Sequence, residues 1–153
     1  MNNTARNPNN RLRTFWLLPP LLLCSLVAAL AASRNDQRSE RILFADSAGP
    51  MQQGAATVSA SISGHGSVTY LVDARTGQSL AIQLSSSNAH SGLRITAPAA
   101  PRALHNGAGS HPQFSGVLPR DGTYRIRVFL TPDAADNDEV ADFSLNIRLK
   151  NPG

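Results

Sequence analysis

The amino-acid sequence predicts an all-β protein, an antiparallel β-sandwich of about seven or eight strands. Three observations carry this. Apolar and polar residues alternate at a period of two in several separate segments, which puts one face of a strand on a core and the other toward water. The breaks between those segments have turn chemistry. No segment carries the longer period of a convincing amphipathic helix.

The 153 residues suit one domain plus an appendage and are too few for a barrel enzyme or a complete two-lobed nucleotide-binding enzyme. Residues 1–31 are that appendage, a signal peptide. Arg6, Arg11 and Arg13 form a basic start, and an apolar run follows from Phe15 to Ala32. Ala29, Leu30 and Ala31 fit the small-residue cleavage rule, with the cut before Ala32. The run is at the lower limit for spanning a membrane, and Pro19 and Pro20 break it early. A lipoprotein signal needs a small residue before its cysteine, and Leu23 precedes Cys24, so Cys24 counts as one more apolar residue. The expected location is the periplasm or outside the cell, with no membrane attachment after cleavage.

Removal of that segment changes the charge. Three of fourteen basic residues and none of ten acidic ones leave with it, so eleven against ten remain and the net charge falls from +4 to +1. No Lys/Arg cluster in the sequence is left to make a phosphate-binding footprint, and nucleic acid is not an expected partner. The mature chain has no cysteine and can fold in an oxidising compartment without redox chemistry. It has no tryptophan either, which excludes a sugar platform built on that residue.

Residues 32–40 are polar and charged and are expected to be a flexible leader, with the sandwich domain at 41–153. A short strand is expected at 41–44. Val58, Ala60 and Ile62 then alternate with Thr57, Ser59 and Ser61. Val68, Tyr70 and Val72 form the next inward set, and Leu80, Ile82 and Leu84 the one after. Gly64-His65-Gly66 and Arg75-Thr76-Gly77-Gln78 supply the tight turns between them, with glycine free to take positive φ. Short strands are expected at 93–97 and 113–118, separated by a long connection from Pro98 to Pro112 that is rich in Ala, Gly and Pro. Tyr124, Ile126, Val128 and Leu130 make a strong strand, and Phe143, Leu145, Ile147 and Leu149 another. Asp121-Gly122 before Tyr124 resembles a tyrosine corner, a structural device in which the phenol bonds backbone a few residues upstream. The expected core is Val58, Ile62, Val68, Tyr70, Leu80, Ile82, Tyr124, Ile126, Val128, Phe143, Leu145 and Ile147.

Nothing in the sequence supports an enzyme. There is no nucleophile elbow and no Gly-rich phosphate loop before a helix, and no catalytic residue or cofactor is assigned. His65, His90, His105 and His111 lie in turn-like sequence at spacings that fit no metal-ligand pattern, and are expected to be exposed loop residues. The anomaly is acidic. Residues 131–142 read TPDAADNDEVAD and carry Asp133, Asp136, Asp138, Glu139 and Asp142, five of the ten acids. Three readings fit: a solvated turn whose charge opposes aggregation, a calcium loop, or a recognition loop for a cationic partner. The EF-hand template fails, because its Gly position holds Ala141 and its last Glu position holds Ile147. No metal is therefore assigned.

Two stretches carry a family resemblance. Residues 62–80, ISGHGSVTYLVDARTGQSL, resemble the opening of secreted pre-peptidase C-terminal-like β-sandwich domains. Residues 114–130, FSGVLPRDGTYRIRVFL, followed by ADFSLNI at 141–147, resemble one branch more closely, the bacterial periplasmic inhibitors of g-type lysozyme. The resemblance spans about 41–149 and implies a sandwich that blocks a lysozyme by plugging its cleft. In that branch the loop after the strand matching residues 122–130 commonly carries arginines. This chain has Thr131, Pro132 and the acidic run there, with no arginine before Arg148. The resemblance therefore implies either an inhibitor whose contact has changed or a non-catalytic cell-envelope module that binds another protein or ligand.

The expected partner-binding residues are Phe129, Thr131, Pro132, Asp133, Asp136, Asp138 and Glu139. The partner is a lysozyme or another basic secreted protein, steered by the loop acids. Phe129 falls on the same face of its strand as Arg125 and Arg127, away from Ile126 and Val128. It reads either as an exposed binding anchor or as a cap on the end of the sandwich.

Overall fold

A computed structural model describes residues 36–44 and 53–153. The expected signal peptide, residues 1–31, and residues 32–35 of the expected leader lie outside the described residues. Nine strands form two facing sheets: β1 (Gln37–Arg41), β2 (Gly54–Ser63), β3 (Ser67–Ala74), β4 (Ser79–Ser86), β5 (Ser91–Thr96), β6 (Ala103–Ala108), β7 (Gln113–Val117), β8 (Gly122–Leu130) and β9 (Val140–Lys150). A short helix, α1 (Pro132–Asp136), joins β8 to β9. One sheet has the order β1-β3-β8-β5-β6 and the other β2-β9-β4-β7. All pairings are antiparallel except that of β1 with β3. The all-β sandwich expected from the alternation is what the chain forms.

The alternating residues meet between the sheets. Eleven of the twelve expected core residues are buried, and Val58 is half-buried against the same cluster. Tyr70 and Phe143 make an edge-to-face contact from opposite sheets, with ring centroids 6.4 Å apart and planes at 78°. The tyrosine corner is present. Tyr124 is fully buried, and its hydroxyl donates to the Arg120 carbonyl at 2.7 Å and accepts from the Arg120 N–H at 3.1 Å.

Three local expectations need correction. The strand placed at 41–44 instead spans 37–41 and takes in residues read as leader. Every side chain of β1 is exposed, so backbone pairing with the edge of β3 holds it, and polar patterning carries no trace of that. Ile42 and Phe44 follow as core residues outside any strand. The connection at 98–112 contains β6, which lacks β-branched residues and pairs with β5 alone. His105 therefore sits in a strand, not an exposed loop. It is half-buried, with its ring 5.6 Å from that of Phe114.

Candidate functional site

Three turns converge at one end of the sandwich. They are the β2–β3 turn at 64–66, the β4–β5 turn at 87–90, and the β8–β9 connection that holds α1. Thr131 precedes α1 and makes no side-chain capping bond, while Pro132 starts the helix, where its missing N–H costs nothing. Ala134 and Ala135 face the core and anchor the turn. Asp133, Asp136 and Asp138 are exposed, and Glu139 is half-buried.

The other two turns clasp this segment. Gly64 donates its N–H to the Glu139 carbonyl at 3.0 Å, and Thr131 donates its N–H to the His90 carbonyl at 2.9 Å. Gly64 has φ +50°, and a Cβ there would stand 2.9 Å from Asp138 Oδ1, so this approach needs glycine. His65 Nε2 lies 2.9 Å from Asp136 Oδ1. Glu139 Oε2 accepts from Asn88 Nδ2 at 2.8 Å and lies 3.1 Å from His90 Nδ1. Asn88 Oδ1 in turn accepts the His90 N–H at 2.8 Å, which orients the histidine's own turn.

The acidic run is thus not a uniform charged tip. Asp136 and Glu139 are engaged by histidines from two other turns. Asp133 and Asp138 carry no ion pair among the described residues. Among those residues, too, no three His, Cys, Asp or Glu side chains converge as metal ligands. The helper residues His65, Asn88 and His90 were not identified as part of this end. Their contacts span 71, 51 and 49 residues of sequence, and no local spacing signals them.

Phe129 lies on the outer face of the five-stranded sheet, as alternation requires. It is half-buried, because its strand neighbour is Gly92 and its ring lies over that bare backbone. A Cβ on Gly92 would come within 2.5 Å of the ring. The Arg127 guanidinium stands 5.8 Å from the ring centroid, within cation–π range. Phe129, Arg127, Arg94, His65 and Pro132 line one shallow depression of about 190 Å³ that joins the sheet face to α1.

Hydrogen bonds set the acid response of this end and of a second ion pair. Glu139 is held below the usual carboxylate range, first by Asn88 and then by His90. Asp73 is likewise lowered, first by the Thr123 hydroxyl and then by Arg41. A carboxyl lowered in the folded state stabilises above its unfolded pKa and loses that contribution as pH falls through the folded value. Thermal stability should therefore hold from neutral pH into the carboxylate range and fall below about pH 4. Melting curves against pH for Asp73→Asn/Glu139→Gln should show a shallower fall; parallel loss in variant and parent would refute the assignment.

The described fold defines a class: a nine-stranded sandwich with three turns gathered at one end and an α1 connection between its two central strands. Solved structures place that class. A periplasmic inhibitor of g-type lysozyme from Aeromonas hydrophila matches with a TM-score of 0.66 and 22% identity, over 75% of this chain and 98% of that one. The corresponding inhibitor from Salmonella Typhimurium matches with a TM-score of 0.56 and 24% identity, over 74% of this chain and 98% of that one. The pre-peptidase C-terminal domain of a collagenase from Bacillus anthracis matches more distantly, with a TM-score of 0.51 and 13% identity over 73% and 94% of the two chains. No family model matches the sequence, and none of the curated proteins does. The resemblance carried by residues 62–80, 114–130 and 141–147 is borne out at the level of fold.

Proposed function

We propose that the chain is an exported inhibitor of a g-type lysozyme, working in the periplasm or outside the cell. It meets its target through the end of the sandwich built by Phe129, Thr131, Pro132, Asp133, Asp136, Asp138 and Glu139. The observation that carries this is the shared fold, which extends over nearly the whole of the inhibitors compared. The α1 end adds support. It presents exposed acids able to steer a basic protein, next to an aromatic ring on the sheet face. The second reading, a non-catalytic envelope module, draws on the likeness to the pre-peptidase domain.

A lysis assay separates the two. Excess mature protein should protect cell walls against a g-type lysozyme. Undiminished lysis by g-, c- and i-type enzymes would leave the module reading. In the inhibitor, Phe129→Ala should weaken binding by roughly 2 kcal/mol or more while costing about 1 kcal/mol or less of stability from the lost ring-over-glycine contact. Neutralising Asp133 and Asp138 should slow association and flatten its salt dependence. Binding indifferent to both changes would move the contact elsewhere.

A further inference from the structure

Besides Arg41, three arginines share the outer face of the five-stranded sheet. Arg125 and Arg127 occupy alternate positions of β8, and Arg94 on β5 stands directly across from Arg127. Like charges in direct cross-strand register destabilise a sheet. Arg127 has the Phe129 ring beside it, and no described carboxylate pairs with any of the three. Among the described residues, the one carboxylate on this face is Asp73, which is bonded by Arg41 and by the Thr123 hydroxyl at 2.6 Å. Arg94 and Arg125 are exposed, and Arg127 is half-buried beside Phe129.

We propose that this face binds an acidic glycan. The three arginines border a depression of about 280 Å³ whose remaining wall is Gln37, Thr69, Thr96 and the buried Ser67. Guanidinium forks match carboxylate and sulfate oxygens with paired hydrogen bonds, which a lysine ammonium does not. Hydroxyl groups between them suit a chain that alternates acid groups with hydroxyls. A protein partner would call for an apolar or aromatic centre. Here the centre is charged and polar, and Leu71 and Phe129 stand at its margins. The surface adjoins the proposed lysozyme contact, since Arg94 and Arg127 also line the depression that holds Phe129 and Pro132, but acidic-sugar binding is read with no lysozyme present and so tests it independently.

The test uses the mature protein with an oligogalacturonate, a heparin oligosaccharide, neutral dextran and a poly-aspartate peptide of matched charge. Both acidic sugars should bind at low salt and weaken steeply as salt rises, and dextran should not bind. Arg125→Gln should lower affinity on the order of tenfold and Arg94→Gln/Arg125→Gln on the order of a hundredfold, with the melting temperature unchanged or raised. Absence of acidic-sugar binding, or binding that survives the double substitution, overturns the proposal. Equal or tighter binding of poly-aspartate overturns it in favour of an acidic protein surface.

Discussion

Ile126→Ala should lower the unfolding free energy by about 2–5 kcal/mol. Ile126 is fully buried and lies midway along β8, between Tyr70 of β3 and Ile95 of β5 in the same cross-strand row. Its neighbours on both sides are themselves fully or almost fully buried and held by their own strands. The lost methyl and methylene groups would therefore leave a cavity that a sheet cannot readily close. Urea unfolding measures the effect as a lower midpoint at constant slope. Arg125→Ala, one residue away on the opposite face, is the control and should change stability by no more than about 0.5 kcal/mol. An unchanged midpoint for Ile126→Ala would mean that the inner and outer faces of β8 are exchanged.

Tyr124→Phe should cost about 1–3 kcal/mol. The substitution keeps the buried ring and removes the oxygen alone. That oxygen serves both backbone groups of Arg120, accepting from its N–H and donating to its carbonyl. It thereby fixes the chain where it leaves β7 in one sheet and enters β8 in the other. Calorimetry of the variant checks the size of the loss, and equal stability would show that water satisfies Arg120 as well as the phenol does.

These two sites were legible in the sequence because their signals are local. The burial of Ile126 follows from alternation within one strand, and the tyrosine corner joins residues four positions apart. The face of Phe129 was legible for the same reason, but its depth was not: the exposure of the ring depends on Gly92, which reaches it only through strand register. The α1 end shows the same limit. Its five acids were conspicuous, while the histidines that engage two of them come from turns far away in the chain. β6 escaped notice because Ala, Asn and Gly carry little strand preference, and pairing with β5 supplies what propensity does not. The arginine face combines both cases. Arg125 and Arg127 were visible as neighbours on one strand, and Arg94 joins them only in the folded sheet.

The strand order has a kinetic corollary. β8 and β9 are the last strands in sequence, yet β8 stands at the centre of one sheet and β9 between β2 and β4 in the other. Before they form, β2 has no hydrogen-bonded neighbour, and the pairs left are β1 with β3, β4 with β7 and β5 with β6. Three isolated two-stranded ribbons are marginal in water. The chain therefore has no stable partial fold to rest in, and its two sheets complete together when the final strands arrive. Such distant pairing places folding in the slow, millisecond-to-second range of about 10⁰–10³ per second. Under the proposed export, that delay gives an extended chain time to be threaded through a membrane.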